Sequence, residues 1–341
     1  MIVKGRKNKF VSVFRFGYVG GVNMENEKKK VLLIVNPCAG RTKSRAATFD
    51  IVDKFSKNDY EFSVHTTTCQ GDATNIVRNN GEGKDLVVCC GGDGTLNETI
   101  NGVMDMLRRI PVGYIPTGST NDLAATLKIP RDIGAATDII MSGNTNSYDI
   151  GLFNNRYFSY VASFGAFTRS SYATSQKMKN RFGHAAYIFN GLKEWKNMKP
   201  VHMRIEYDGG VIEDDFSFGA ISNSTSVAGI FKFNVNDVKL NDGYFEILLV
   251  RKIRPITAPA MLGKVIRQEY DGKQIIFLRT SKAKFSSPEE VAWTLDGEYG
   301  GALKVAIIHV LSKAVELCSP DNPLFEKDIA DAGLPTVGVK G

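Results

Sequence analysis

The chain has 341 residues, roughly twice a common domain, so two domains are the expectation. Its 43% hydrophobic and 23% charged residues describe a folded chain rather than a disordered one, and no apolar run approaches the roughly 20 residues that a membrane-spanning helix needs. Forty-three Lys and Arg against 36 Asp and Glu give a net charge of +7, which invites an anionic partner: nucleic acid, a membrane surface or a phosphorylated substrate.

Residues 1–23 hold Lys4, Arg6, Lys7, Lys9 and Arg15 and no acid, and so supply +5 of the +7. Phe10, Val11, Val13, Phe14, Phe16 and Tyr18 are mixed among them, without the uninterrupted apolar core of a signal peptide. Met24, followed by Glu25-Asn26-Glu27 and three lysines, reads as a natural start. The segment is therefore expected to be an upstream extension or tail, with a basic membrane arm as the alternative.

Val31–Val35 is a short continuous apolar run that suits a parallel strand covered on both faces, and it ends in the turn cluster Asn36-Pro37-Cys38-Ala39-Gly40. Ala47, Ile51, Val52 and Phe55 then recur at helical spacing. Phe62–Thr66 is the next strand, and Gly71-Asp72 opens a helix carrying Ala73, Ile76 and Val77. Leu86–Cys90 is a third buried strand, broken by Gly91-Gly92-Asp93-Gly94-Thr95. Behind it Leu96, Ile100, Val103, Met104 and Leu107 form one helix face. Val112–Ile115 is a fourth strand, followed by Pro116-Thr117-Gly118-Ser119-Thr120-Asn121-Asp122 and another helix. The alternation predicts an α/β domain with a mostly parallel sheet.

The chemistry sits in the Gly-Gly-Asp-Gly-Thr unit. Adjacent glycines let backbone N–H groups approach phosphate oxygens, and the helix N-terminus beyond favours anions. Thr95 adds a hydroxyl. Asp93 would repel phosphate unless a divalent cation lay between them, so an aspartate here implies Mg²⁺. The spacing matches neither G-x-x-x-x-G-K-[ST] nor G-x-G-x-x-G, which excludes the P-loop and Rossmann readings. Asn36 and Gly40, Thr66-Thr67-Thr68, and the 118–122 loop follow the other strands, so the same sheet edge collects hydroxyl and amide donors as a nucleotide polyphosphate needs.

After Gly143 the pattern becomes β-rich. Strands are expected at 148–153, 156–161, 201–207, 215–221, 244–250, 274–278, 283–285, 293–295 and 303–308, in an antiparallel sandwich or barrel. A helical insertion at about 168–199 interrupts it. From Arg169 to Arg204 there are eight basic residues against Glu194 alone, with Tyr187, Phe189, Trp195 and Met198 interleaved: either a face for an anionic membrane surface or a solvated helix packed on the sandwich. Arg251-Lys252-Ile253-Arg254, Lys264 and Arg267 are expected to extend that face. Asp242, in Lys239-Leu240-Asn241-Asp242-Gly243-Tyr244, reads on its own as an Asp-Gly turn, with a hard-cation site as the alternative. Leu295-Asp296-Gly297-Glu298 ends a strand with two carboxylates, either a turn or a proton acceptor for a substrate hydroxyl. The five cysteines show no C-x-x-C spacing, with Cys89 and Cys90 read as buried small residues, and the four histidines show no metal-ligand spacing. A reducing cytoplasm is the expected location.

The order and separation of Gly91–Glu98, Gly118–Asp122 and Leu295–Glu298 resemble the diacylglycerol kinase catalytic-domain family, which includes soluble bacterial diacylglycerol kinases and is related to sphingosine and ceramide kinases. The resemblance runs from about Lys30 to Pro320. The first motif is shared with NAD kinases and phosphofructokinases, and the combination is much more specific. The resemblance implies a nucleotide-binding α/β domain at 30–146 and a β-rich lipid-substrate domain at 147–312. Residues 1–29 are then a tail, and 313–341 return to the first domain. It implies ATP at Asn36, Gly40, Thr67, Gly91, Gly92, Asp93, Gly94, Thr95, Leu96, Asn97, Glu98 and Ser119, the last standing where the family usually has Thr. Asp93 and Asp122 would join a Mg²⁺–water network, Glu298 with Asp296 beside it would accept the proton, and a second, structural Mg²⁺ would sit at Asp242 with Lys239 and Tyr244.

The expected activity is ATP- and Mg²⁺-dependent phosphorylation of a lipid alcohol, foremost diacylglycerol, by an enzyme that meets an anionic membrane surface peripherally and can form a homodimer. A sphingosine-like or polyprenol acceptor, a soluble NAD kinase, and a non-catalytic lipid- or nucleotide-binding regulator are the alternatives; the Asp-Gly-Glu motif counts against the second, and the presence of Asp93, Asp122, Asp296 and Glu298 against the third. Nucleic acid is not expected, because the chain beyond residue 23 carries only +2 of the +7.

Overall fold

The computed structural model describes residues 28–165, 199–227, 231–232 and 238–326. The basic tail and all but Lys199 of the expected helical insertion lie outside them. Strand and helix alternate through the first part: β1 (Lys29–Val35), α1 (Lys43–Ser56), β2 (Tyr60–Thr66), α2 (Asp72–Asn80), β3 (Leu86–Gly91), α3 (Asp93–Met104), β4 (Val112–Pro116), α4 (Asp122–Thr126) and α5 (Ile133–Met141). The strands lie in the order β4-β3-β1-β2, all parallel. Every residue of β3 is buried, which is why it reads as an unbroken apolar run. The α3 face ends at Met104, and Leu107, which the periodicity places on it, is fully exposed beyond the helix end.

The second part is β-rich: β5 (Thr145–Phe153), β6 (Arg156–Phe158), β7 (Val161–Gly165), β8 (Val201–Tyr207), β9 (Gly210–Ser222), β10 (Ser226–Val227), β11 (Phe231–Lys232), β12 (Phe245–Arg251), α6 (Ala258–Ile266), β13 (Ile275–Thr280), β14 (Lys282–Leu295) and β15 (Glu298–Cys318). Strands β7 and β8 both pair with β9 on one side and β14 on the other, closing a ring of antiparallel pairings. Around Trp293 the rings of Phe164, Phe153 and Phe285 stand 4.9, 5.1 and 5.2 Å away, centre to centre. Strand β12 is buried on both faces: Phe245, Ile247 and Leu249 join this aromatic core, while Leu248 and Val250 join the core that continues into the α/β part.

Three strand expectations change. The runs 283–285 and 293–295 are the two ends of the single strand β14, whose register shifts between Ser286 and Val291. The run 156–161 is two strands, β6 and β7, because the N–H groups of Ser159 and Tyr160 leave the ladder and donate to the Asp296 carboxylate. The run 303–308 is the middle of the 21-residue β15, which bulges between Leu311 and Val315 and ends with Leu317 paired to Val112 of β4. A single sheet therefore passes through both parts.

Candidate active site

The carboxyl ends of β1 to β4 run directly into the loops of interest. Asn36 donates its N–H to Cys90 O at 2.9 Å, Thr67 to Val35 O at 3.0 Å, and Thr117 and Gly118 to Gly91 O at 2.8 and 3.2 Å. Two of these loops touch through glycine: a Cβ on Gly118 would stand 2.6 Å from the Gly92 Cα. Any side chain there would push the β3–α3 and β4–α4 loops apart. Gly91 makes room instead for Thr95, whose buried hydroxyl accepts a hydrogen bond from the Asn36 amide at 2.9 Å.

Helix α3 begins at Asp93 after Gly92, so its first-turn N–H groups have no intrahelical acceptor and face the loop cluster. Its side chains brace the neighbouring helices. Asp93 accepts from the N–H groups of Asp122 and Leu123 at 3.1 and 3.4 Å, at the start of α4. Glu98 accepts from Gly71 and Ala73 at 2.8 and 3.2 Å, at the start of α2. Each contact does what an N-capping side chain does, worth about 1 kcal/mol, but from a different helix. Burial raises the pKa of both carboxyls above the ordinary range. Asp122 is pushed up to about 7 by burial and then by the negative charge of Asp93, against Arg131, which lowers it.

The second part contributes its residues from the β14–β15 turn. Asp296, at a left-handed φ of 49°, is buried, and its carboxylate accepts from Ser159, Tyr160 and Val161 N–H at 2.6, 3.0 and 2.9 Å. Burial nonetheless outweighs these donors and raises it to about 6. Glu298 is half-buried and overhangs the start of α3: a Cβ on Gly94 would lie 3.8 Å from its Oε1. It also lines a polar cleft of about 300 Å³ with Thr74, Arg78, Asn97, Asn101 and Arg156. The Ser159 hydroxyl donates to Asn97 Oδ1 at 2.9 Å, tying the two halves together beside that cleft.

Most of the expected site residues thus meet at one place: Asn36, Thr67, Gly91–Thr95, Ser119 and Asp122 on the loops, with Asp296 and Glu298 facing them. Gly40 lies in the 3₁₀ turn Ala39–Thr42 with φ 57°, and Ser119 is exposed. Leu96 instead points into the hydrophobic core, and Asn97 and Glu98 are engaged in the contacts above. The bracing roles of Asp93 and Glu98 leave no local sequence signal, since their partners lie on other helices. Lys239, Asp242 and Tyr244 belong to the turn before β12. There Lys239 Nζ donates to Pro323 O at 2.8 Å, and Asp242 accepts from the Tyr244 N–H at 3.0 Å and is ion-paired to Arg279. Most of the expected extension of the basic face is charge-compensated: Arg251, Lys252, Lys264 and Arg267 each pair with an acid, while Arg254 is exposed and pairs with none among the described residues.

Asp93 and Asp122 are hard oxygen donors with more negative charge than Arg131 offsets; both Asp93 oxygens accept backbone N–H groups, which leaves Asp122 the freer of the two toward a divalent cation. Among the described residues no three His, Cys, Asp or Glu side chains group closely enough to hold a metal alone, so solvent and phosphate oxygens would complete such a site. The Asp242 turn does not fit one, because its carboxylate is already taken by a guanidinium.

Two family models cover nearly all of this architecture: the diacylglycerol kinase catalytic domain over residues 30–153 and the YegS C-terminal NAD kinase beta sandwich-like domain over 161–319. A diacylglycerol kinase of Staphylococcus aureus strain bovine RF122 / ET3-1 is 34% identical over 306 residues, covering 89% of this chain and 96% of that one. The diacylglycerol kinase of strain MRSA252 is 34% identical over 302 residues, covering 88% and 95%. Among solved structures, a candidate diacylglycerol kinase from Bacillus anthracis str. Sterne superposes with a TM-score of 0.73 at 25% identity, over 86% of this chain and 98% of that one. The two-domain fold and the loop cluster define a kinase that phosphorylates an alcohol group. The chain belongs to the diacylglycerol kinase family, a family of lipid kinases that implies ATP as donor and a divalent metal. No helix among the described residues is long and apolar enough to cross a membrane.

Proposed function

We propose that the chain transfers the γ-phosphoryl group of ATP, with Mg²⁺, to the hydroxyl of diacylglycerol, giving phosphatidic acid. One observation supports this reading: Glu298 stands over Gly94 at the N-terminus of α3, so a carboxylate able to take a proton and a helix end able to bind an anion have only a glycine between them. A phosphate cradled by the first-turn N–H groups of α3 would present its γ-phosphorus toward that carboxylate. Asp93 and Asp122 would hold Mg²⁺, which neutralises phosphate charge during transfer. The hydroxyl oxygen forms a bond to phosphorus as the bond to the β–γ bridging oxygen breaks, and Glu298 takes the hydroxyl proton. Asp296 is the weaker candidate for that step, since its oxygens already accept three backbone N–H bonds that protonation would weaken. We assign it the holding of the 159–161 backbone.

The acceptor is a lipid, so peripheral contact with an anionic membrane surface belongs to the same proposal. It rests on the basic sequence of 169–199 rather than on the largely compensated charges around α6. The deciding experiment incubates the full chain with labelled ATP and dispersed diacylglycerol, sphingosine, undecaprenol and NAD, each with and without Mg²⁺. Labelled phosphatidic acid formed only with Mg²⁺ is expected. Label in NAD alone sinks the lipid reading, and label only in sphingosine or undecaprenol reassigns the acceptor.

A further inference from the structure

Strands β12 and β13 pair antiparallel with Glu246 directly opposite Arg279, so the backbone register brings these two side chains together on one face. Arg279 Nε donates to Glu246 Oε1 at 3.2 Å, and its Nη2 donates to Asp242 Oδ2. The guanidinium carbon also lies 5.4 Å from the centre of the Tyr244 ring. The Glu246 side chain is 0% exposed and that of Asp242 10%, so neither carboxylate is well supported by water. The guanidinium thus faces the buried Glu246 and the half-buried Asp242 at once, and a planar group with several directed N–H donors can serve both.

The second metal ion implied by the family resemblance would require the same carboxylate. Mg²⁺ demands about six oxygens at about 2.1 Å in near-octahedral order. Here one Asp242 oxygen accepts the Tyr244 N–H and the other faces Arg279. The neighbouring Asp149 is committed as well, accepting from Gly243 and Lys313 N–H at 2.6 Å each, which ties the turn to β15. We infer that Arg279 supplies in this chain the positive charge that a second metal ion would supply at the turn before β12. The turn from Lys239 to Tyr244 then keeps its shape without a bound divalent cation.

Thermal unfolding of the full chain, dialysed against EDTA and then supplied with millimolar MgCl₂, tests this. Asp93→Asn removes a carboxylate of the loop cluster, so the Mg²⁺-induced shift is compared between Asp93→Asn and the double variant Asp93→Asn/Asp242→Asn. Equal shifts are expected. A smaller shift in the double variant overturns the inference, because it assigns bound Mg²⁺ to Asp242. In metal-free buffer Arg279→Gln should lower the midpoint by about 3 °C or more, since it leaves the buried Glu246 unpaired. An unchanged midpoint overturns the inference too. If that variant does not fold, the Asp242 comparison still decides. Both readouts are unfolding temperatures and so do not depend on which lipid is phosphorylated.

Discussion

Asp296 and Glu298 lie two residues apart and are expected to respond to mutation in opposite ways. Asp296→Ala removes the acceptor of three buried backbone N–H groups, at 2.6, 3.0 and 2.9 Å. A buried donor left unpaired costs about 1–3 kcal/mol. The truncation frees room for about one water, which can satisfy one or two of the three. The left-handed backbone at φ 49°, tolerated by Asp and Asn, adds about 1 kcal/mol for Ala. The expected loss is therefore about 3–5 kcal/mol, while Asp296→Asn, which keeps one carbonyl acceptor, should lose about half as much. Urea unfolding followed by tryptophan fluorescence reads this, because Trp293 is buried near the end of β14, three residues before Asp296. Glu298→Gln removes no such acceptor, and its unfolding free energy should stay within about 0.5 kcal/mol of the parent while kcat falls about 10²–10⁴-fold. Parental stability in Asp296→Ala refutes the scaffold assignment. Parental turnover in Glu298→Gln refutes the base assignment.

Gly118→Ala places a Cβ 2.6 Å from the Gly92 Cα and 2.6 Å from Asn121 Oδ1. It should cost about 1–3 kcal/mol and raise KM for ATP, and an unchanged KM in initial-rate assays tells against the loop contact as the nucleotide cradle. Asp122 titrates near 7 when folded against 3.8 in its ordinary state, so between these values the folded chain holds a proton that the unfolded chain has lost. That contribution to stability is present below pH 3.8 and is lost as pH rises through about 7. Asp122→Asn should therefore stabilise the metal-free protein above neutral pH, by about 1–2 kcal/mol once partial solvent access is allowed for. Equal melting temperatures of parent and variant in mildly alkaline buffer contradict this. Cys38 and Cys69 are exposed, whereas Cys89, Cys90 and Cys318 are buried, with burial pushing the Cys90 and Cys318 thiols up to about 12. Ellman's reagent should find two reactive thiols in the native chain and five after denaturation; a third fast native thiol shows the core to be open.

Strands β1, β3 and β4 were legible because burial on both faces leaves unbroken runs such as Val31–Val35 and Leu86–Cys90, each followed by a turn cluster with glycine or proline. The Gly91–Thr95 loop, the proposed phosphate cradle, stood out for a similar reason, since it is a contiguous string of residues. What escaped the sequence depends on partners far along the chain. Ser159 and Tyr160 look like strand residues until Asp296, 137 positions from Ser159, draws off their N–H groups. Glu98 sits inside a phosphate-loop motif, yet its carboxylate is taken by the N–H groups of Gly71 and Ala73. Asp242 looks like a plain turn or a cation site until β13 brings Arg279 to it. Side-chain-to-backbone capping across helices and cross-strand ion pairs obey no local period, so hydrophobic patterning does not reveal them.

How the proposed base reaches the proposed phosphate-binding loop is a question of connectivity. Two domains joined by a linker would be free to drift apart, and catalysis would then have to wait for closure. Here β15 begins at Glu298 in the β-rich part and ends with Leu317 paired to Val112 of β4, the strand whose other end leads into the Thr117–Ser119 loop. Side chains stitch the same boundary: Ser159 to Asn97 at 2.9 Å, Thr126 to Ser224 at 3.0 Å, and Asn322 to the Thr126 carbonyl at 2.9 Å. The hydrophobic core is likewise continuous, with Tyr148, Ile150, Leu248 and Val315 in one cluster with Val31–Val35. Opening the boundary would break a shared sheet and a shared core together, a cost far above thermal energy. The relation between Glu298 and the N-terminus of α3 is therefore built into the fold before any substrate arrives, as positioning-dominated phosphoryl transfer requires.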